Sequence, residues 1–178
     1  MKAAYLTGRR QVELREAPKP GGPGPGQVLL RVNTVGVCGS DMHYYTQGRI
    51  GPQVVQYPHI VGHECAATVV AVGGGVEHLS FGQRVAVDPL VPCGRCDQCR
   101  NHRKHTCRNQ RFLGNPGQLS GALVESLLMP GECCFPVPDS LDDDQTAIVE
   151  PLSIGLYTAG MGQLVQGASA GIVGSGPI

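Results

Sequence analysis

The sequence has no tryptophan among its 178 residues, and aromatic residues make up only 4% of it. Its formal net charge is zero, because 14 basic residues balance 14 acidic ones. Surfaces that bind nucleic acid combine excess positive charge with aromatic side chains for stacking, so this composition argues against a nucleic-acid partner. Balanced charge does not favour an anionic membrane surface either.

Long hydrophobic segments are also missing. No run of about eighteen apolar residues occurs, and Met1 to Arg10 lacks the apolar centre of a secretory signal. We therefore expect a soluble, cytoplasmic protein without a membrane partner. Thiols stay reduced in that compartment, so the eight cysteines are better explained as metal ligands than as disulfides.

Four of the cysteines are concentrated in one short segment. Cys93, Cys96, Cys99 and Cys107 follow the pattern C-x2-C-x2-C-x7-C in a stretch without a periodic apolar face. Such a stretch cannot fold by burial alone, whereas four thiolates around Zn²⁺ make a closed tetrahedral structural site. Two disulfides or four unrelated thiols are the alternatives, and the spacing favours zinc over both.

The surroundings of these cysteines are basic. The positive residues are Arg95, Arg100, Arg103, Lys104, Arg108 and Arg111, and Asp97 is the only acid. Nearby cations lower the pKa of a thiol and so favour the thiolate that binds metal. Zinc knuckles with basic flanks can also bind RNA, but the neutral charge of the whole chain argues against that interpretation.

The remaining pattern is mostly that of an all-β unit. Lys2 to Thr7, Val12 to Arg15 and the β-branched stretch Val28 to Val37 predict strands. Pro18 to Gly26 has four prolines and four glycines and predicts a surface connection. Further strands are predicted at Ala122 to Leu128 and Cys133 to Val137.

A fifth cysteine opens a second motif. Cys38 lies in G-V-C-G-S-D-M-H-Y-Y, residues 36–45, where Ser40 or Asp41 could cap a short helix. A lone cysteine at the end of a strand is usually a small buried hydrophobe. That is also the expectation for the thiols in strand-like segments, Cys65, Cys133 and Cys134.

The sequence V-G-H-E supplies two further candidate ligands. His63 and Glu64 enter a strand predicted over Cys65 to Val72, so their side chains begin on opposite faces unless the backbone bends. Gly62 is placed to provide that bend. His59 is expected to be only a loop residue, and His78, His102 and His105 have no partner at ligand spacing.

The C-terminal part predicts helices. Asp142 to Ala147 begins one with acids in its first turn, and Leu152 to Leu164 predicts another. Between them, Glu150 is a lone carboxylate in an apolar window, so it either faces solvent or is paired with a positive group. Gly171 to Ile178 predicts a buried strand running into two glycines.

Five motifs in a fixed order carry a family resemblance. They are G-V-C-G-S-D-M-H-Y-Y, V-G-H-E, the four-cysteine segment, E-P-L-S-I-G at 150–155 and the terminal G-S-G-P-I. In this combination the chain resembles the zinc-dependent medium-chain alcohol dehydrogenases, particularly their polyol (sorbitol) branch. The resemblance implies a mainly β fold, with a GroES-like β-barrel catalytic domain over 1–150 and a structural-zinc lobe at 90–111. Residues 151–178 would then be helices and the first strand of an incomplete Rossmann domain.

The resemblance also implies a metal site for catalysis. A zinc ion would be held by Cys38, His63 and Glu64, with water in the fourth position, which makes two zinc ions per chain. Glu150 would lie close enough to contact that water or the substrate. Which of the two glutamates is the resting ligand stays open.

Further roles follow from the same resemblance. Ser40 and His43 match the family's proton relay, and Tyr44 matches the tyrosine that contacts substrate in the polyol branch. Gly174 and Gly176 match the first two glycines of the loop that binds NAD(P)⁺.

The expected activity is the oxidation of a polyol or secondary alcohol to a ketone, with hydride transfer to NAD(P)⁺, in an intact enzyme that is a homodimer or homotetramer. A threonine or sugar-acid dehydrogenase is the alternative within the family. Because the nucleotide domain is incomplete, the chain by itself is expected to be inactive. A non-enzymatic zinc-binding fragment is therefore the alternative from a different class.

Overall fold

A five-stranded antiparallel sheet lies at the centre of the computed structural model, which describes residues 1–174 and 176. The strands are β1 Lys2–Gly8, β2 Gln11–Glu16, β3 Gln27–Gly36, β4 Arg49–Ile50, β5 Gln53–Val54, β6 Glu64–Val72, β7 Arg84–Val87, β8 Leu90–Val91, β9 Arg111–Phe112, β10 Ser126–Pro130 and β11 Cys134–Pro136. The helices are α1 Gly39–Gln47, α2 Asp97–Arg100, α3 Asp143–Ala147 and α4 Val149–Met161, with 3-10 turns at Lys104–Thr106 and Gly131–Cys133. The predicted mainly β fold is confirmed.

The order of strands in the sheet is β10-β3-β6-β7-β11. The two long strands, β3 and β6, pair antiparallel, and their register sets Gly36 opposite Glu64 and Val35 opposite Cys65. The end of β3 therefore meets the start of β6. This pairing brings the segment after Gly36 close to His63, although the two segments are far apart in sequence.

The core lies on one face of this sheet. Alternate side chains of the central strands point to the same face, which explains why Val28, Leu30, Ala67, Val69 and Val85 are all fully buried. Cys65, Cys133 and Cys134 are buried too, as predicted for core thiols. Burial raises the pKa of the Cys65 thiol to about 12, with a smaller contribution from Glu150, so this thiol behaves as an apolar side chain.

Helix α3 is fixed to the sheet through its acidic first turn. Asp142 is its N-cap and accepts a hydrogen bond from the Gln145 backbone nitrogen at 2.7 Å. Asp143 accepts from Asn33 Nδ2 at 3.0 Å on β3 and from Arg84 Nε at 2.7 Å on β7. The predicted acids thus do more than complement the helix dipole, because they attach the helix to two strands.

Two predicted elements differ in the structure. The strand expected at Ala122 to Leu128 forms only at Ser126–Pro130, because Ala122 and Leu123 instead donate backbone hydrogen bonds to Gly62 and Val61. The α1 N-cap is Cys38 rather than Ser40 or Asp41, which lies in the first turn.

The C-terminal part is largely exposed. Helix α4 begins three residues earlier than predicted and presents apolar side chains to solvent, among them Leu156 and Tyr157. Residues 171–174 form no strand in the described part of the chain, since a parallel strand needs neighbours to pair with. Ser175, Pro177 and Ile178 of the predicted strand lie outside the described residues. Within residues 1–174 and 176, no helix has the length and apolar character needed to span a bilayer.

Two adjacent glycines test how closely the loops pack on the sheet. A Cβ added to Gly73 would lie 2.0 Å from the backbone oxygen of Gly24, whereas one added to Gly74 meets nothing within 4 Å. We predict that Gly73→Ala lowers the free energy of unfolding by about 1–3 kcal/mol, as overpacking does. The Gly74→Ala control should change it by less than about 0.5 kcal/mol. Urea unfolding of both variants measures this, and equal losses would contradict the contact.

Candidate metal centre

The four cysteines of the predicted lobe converge in the structure. The sulfur atoms of Cys93, Cys96, Cys99 and Cys107 all lie within 4.8 Å of one another. Cys96 Sγ is 3.5 Å from Cys99 Sγ and 3.9 Å from Cys107 Sγ. These separations exceed a disulfide bond, and all four thiols are free. The arrangement suits the tetrahedral site that four thiolates make around one zinc ion.

Backbone groups point at these sulfurs and account for part of the geometry. The Cys93 nitrogen donates to Cys107 Sγ at 3.2 Å, and Cys96 is the N-cap of α2. Backbone N–H groups of Arg108 and Cys99 lower the pKa of the Cys96 thiol to about 6. Loss of solvent, followed by its sulfur neighbours, raises the pKa of Cys99. Four thiolates together therefore need a cation at their centre, and the donor set fits zinc.

The basic residues of the lobe form specific ion pairs. Arg108 Nε lies 2.6 Å from Asp97 Oδ1 within the lobe. Lys104 Nζ lies 2.5 Å from Glu132 Oε2 in the 3-10 turn before β11. The second pair ties the lobe to the main sheet, a role that the charge count alone could not indicate.

A second group of possible ligands forms where β3 and β6 meet. One ligand atom each from Cys38, His63 and Glu64 lies within 4.8 Å of the others. Cys38 lies two residues after the end of β3, His63 immediately precedes β6, and Glu64 is the first residue of β6. Gly62 has φ +97°, so the predicted bend is present, and His63 and Glu64 both reach the group.

Gly36 makes room for one of these ligands. A Cβ added to Gly36 would lie 2.4 Å from Glu64 Oε2 and 3.0 Å from Glu64 Cβ. Because the two residues are paired across β3 and β6, the carboxylate occupies the space that any larger residue would fill.

Asp41 holds the two halves of this group together. Its side chain is buried; Oδ2 accepts from the Cys38 backbone nitrogen at 3.2 Å and Oδ1 from the Gly62 nitrogen at 3.2 Å. Oδ1 also lies 3.7 Å from His63 Nδ1. A partner on the second ring nitrogen fixes the orientation of a ligating histidine. Sequence reasoning treated Asp41 only as a possible cap.

Glu150 lies near this group but outside it. It is half-buried in the first turn of α4. Burial, and then the charges of Glu64 and Asp88, raise the pKa of its carboxyl to about 7. No cation pairs with it in residues 1–174 and 176. The sequence left two interpretations open, exposure to solvent and pairing with a positive group. Neither describes Glu150 fully, because its carboxyl is half-buried and its charged neighbours are acids.

A cavity of about 300 Å³ opens beside His63. Its lining includes two predicted residues, Ser40 and Tyr44, and the buried Tyr44 hydroxyl lies 3.0 Å from Gln53 Oε1 and 2.8 Å from Asn115 Oδ1. The Phe112 ring meets the edge of the His63 ring at 5.3 Å. Gln53, Phe112 and Asn115 carry no motif and were missed, because only the fold brings them together.

His43, Gly174 and Gly176 do not line this cavity in the described part of the chain. His43 lies on α1 with its side chain exposed, and within residues 1–174 and 176 it makes no hydrogen bond to Ser40. Gly174 and Gly176 are exposed. His59, expected as a loop residue, bonds through Nε2 to the Gly114 carbonyl at 2.9 Å.

Comparison with known proteins agrees with this geometry. Residues 24–139 match the family described as the alcohol dehydrogenase GroES-like domain. The chain is 42% identical over 178 residues to a sorbitol dehydrogenase of Bacillus subtilis (strain 168), covering all of this chain and 50% of the relative. It is 36% identical to an L-idonate 5-dehydrogenase of Vitis vinifera, covering 99% of this chain and 48% of that one. The chain thus spans about half the length of these relatives.

Solved structures show the same fold. An oxidoreductase of unknown specificity from Escherichia coli, involved in membrane biogenesis, superposes with a TM-score of 0.84 at 33% identity. The match covers 93% of this chain and 48% of that one.

Asp41→Asn tests whether the buried carboxylate supports the metal group. Asparagine has the same shape but one acceptor oxygen, so it cannot accept from both Cys38 and Gly62. We predict a loss of about 1–3 kcal/mol in the free energy of unfolding and 10- to 100-fold weaker zinc binding at the second group. Denaturant unfolding measures the change in stability, and competition with a chelator measures the zinc affinity. Asp139→Asn, at an exposed position, is the control. Unchanged zinc affinity in Asp41→Asn would contradict the role.

The raised pKa of Glu150 predicts that folding stability depends on pH when the second metal group is empty, as in a Cys38→Ser background. Its pKa rises from 4.5 unfolded to about 7 folded, so the folded chain binds more protons between these values. Stability should therefore fall as pH rises from about 5 to 8, by on the order of 2 kcal/mol after allowance for partial solvent screening.

Glu150→Gln in the same background should flatten that fall, as measured by denaturant midpoints at pH 5 and pH 8. Glu77→Gln changes an exposed glutamate and is the control that should keep the original slope. A slope that Glu150→Gln leaves intact would show that another group is responsible.

Proposed function

The chain belongs to the medium-chain alcohol dehydrogenases with a GroES-like domain, and on that basis we propose that it is the zinc-binding catalytic part of an enzyme that oxidises a polyol or secondary alcohol with NAD(P)⁺. The convergence of Cys38, His63 and Glu64 beside an open cavity carries the proposal. One thiolate and one carboxylate balance the charge of Zn²⁺, and three protein ligands leave a position for substrate oxygen.

The proposed organisation has two parts. Residues 1–150 form the catalytic unit, with its zinc lobe at 90–111, and residues 151–178 begin the nucleotide-binding unit, where Gly174 and Gly176 would approach NAD(P)⁺. The exposed apolar side chains of α4 support this division, because a neighbouring unit would cover them.

Two zinc ions per chain belong to the proposal. The four-cysteine lobe would hold one as a structural ion, since its donor set is closed. Zinc at the second group would supply a Lewis acid that lowers the pKa of the substrate hydroxyl. Glu64 is the proposed third ligand because its oxygen lies within the group, while Glu150 lies outside it and would contact the substrate.

The residues of α1 would carry the proton away. Ser40 lines the cavity, and a hydroxyl can accept one proton while donating another. His43 is exposed on the same helix, where its ring nitrogens can exchange a proton with solvent. The substrate hydroxyl proton would pass to Ser40 and then, through water, to His43, while NAD(P)⁺, when bound, would supply the acceptor for the hydride from the carbinol carbon. The ketone is the product.

The cavity favours a neutral substrate. Neither lysine nor arginine lines it in the described part of the chain, so it offers no cationic side chain for a carboxylate. A sugar acid or threonine carries a carboxylate, whereas a polyol carries only hydroxyl groups. Tyr44 would contact the polyol. The sugar-acid alternative keeps its support from the L-idonate 5-dehydrogenase relative.

The experiment joins this chain to the nucleotide-binding half of the Bacillus subtilis relative, which gives an intact dehydrogenase. We predict two zinc ions per chain and zinc-dependent oxidation of sorbitol. Cys38→Ser should retain one zinc and lose at least about a thousand-fold in kcat/KM, because the Lewis acid is worth several kcal/mol. Cys96→Ser should also lose one zinc, but chiefly lose stability.

Metal analysis and steady-state kinetics read out this test. An intact dehydrogenase that binds two zinc ions and oxidises neither polyol, sugar acid nor amino alcohol would refute the proposed activity. It would leave the zinc-binding fragment as the better description.

A further inference from the structure

The cavity beside His63 contains two amide side chains, Gln53 and Asn115, to which the proposed function gives no role. The hydroxyl of Tyr44 lies between two amides, at 3.0 Å from Gln53 Oε1 and 2.8 Å from Asn115 Oδ1. A phenol has a single proton, so it donates to one amide oxygen at a time, and the other amide can turn its NH₂ group toward the phenol oxygen. Each amide then retains hydrogen-bonding capacity beyond what Tyr44 takes up.

The chemistry of this cluster selects a class of ligand. An amide both donates and accepts, as an alcohol hydroxyl does, and neither Gln53 nor Asn115 carries a charge. The Tyr44 side chain is buried, and loss of solvent raises the pKa of its hydroxyl, which keeps it protonated. A neutral group with several hydroxyls fits these partners better than an acid or an amine.

The position of the cluster relative to the metal group is fixed by backbone packing. A Cβ added to Gly114 would lie 2.9 Å from the Gly62 oxygen, so the loop carrying Asn115 rests directly against the loop that precedes His63. His59 Nε2 bonds to the Gly114 carbonyl at 2.9 Å and holds the same loop from the other side. These contacts hold the loop that carries Asn115 beside the segment that leads to His63.

Apolar side chains also form part of the cavity wall. Phe112, Leu113 and Ile50 line the same cavity of about 300 Å³, a size at the lower end of small-molecule sites. A ligand lying along these walls with one hydroxyl beside His63 would extend toward the amides.

We propose that Gln53 and Asn115, linked through the Tyr44 hydroxyl, bind a second hydroxyl group of the substrate, one that is not oxidised, and so distinguish polyols from simple secondary alcohols. The inference rests on the proposed function and adds its specificity determinant. Substrate sites built to hydrogen-bond a hydroxyl discriminate against analogues without it, because their polar groups are then left without partners.

The test compares Gln53→Leu and Asn115→Leu in the intact dehydrogenase with sorbitol and 2-propanol as substrates. Each variant should lower kcat/KM for sorbitol about tenfold, mainly through KM, and change kcat/KM for 2-propanol less than about twofold. Gln47→Leu makes the same chemical change at an exposed position outside the cavity and should leave both values unchanged. Equal losses for both substrates, or no loss for sorbitol, would overturn the proposal.

Equilibrium binding of sorbitol, followed by NMR of the side-chain amides, gives a readout that does not need turnover. Sorbitol should shift the Gln53 and Asn115 NH₂ resonances saturably, and 2-propanol should not. A protein that binds sorbitol in this way without oxidising it refutes the proposed function and supports the site. A protein that oxidises sorbitol with these resonances unmoved refutes the site and leaves the function standing.

Discussion

The antiparallel pairing of β3 with β6 is the constraint on which the candidate metal group depends. Cys38 and His63 are separated by α1 and two short strands, and only the register that sets Gly36 opposite Glu64 returns the chain to its starting point. The sheet brings the two segments close, and Asp41 then fixes them by accepting from the backbone on both sides. Strand pairing and the hydrogen bonds to Asp41 thus bring Cys38 and His63 close together.

The two cysteine-containing groups are built on different principles. The lobe is a local structure whose four sulfurs come from one short segment, and its closed donor set leaves no position for a reactant. The second group draws on two distant segments and borders a cavity, so it can admit one. Lys104 and Glu132 form an exposed ion pair between the lobe and the turn before β11, an interaction that salt would weaken.

Local spacing made much of this predictable from sequence. The four-cysteine pattern, the strand at Val28, the bend at Gly62 and the acidic start of α3 all depend on residues close together in the chain, where the chemistry of each position is decisive. Asp41 and Asn115 could not be identified in the same way, because their importance comes from partners 21 and 71 residues distant. The strand predicted over 171–178 had the right composition, but its described residues 171–174 form none, because a strand also needs neighbouring strands to pair with.

The vacancy at Gly36 has an evolutionary consequence. The Glu64 carboxylate occupies the space that a side chain at position 36 would need. Positions 36 and 64 are therefore not free to change independently. A relative with a shorter residue in place of this glutamate could tolerate alanine or serine opposite it, whereas a relative that keeps the glutamate should keep the glycine. Covariation of this pair across related sequences would therefore show which proteins retain an acid as the third candidate metal ligand.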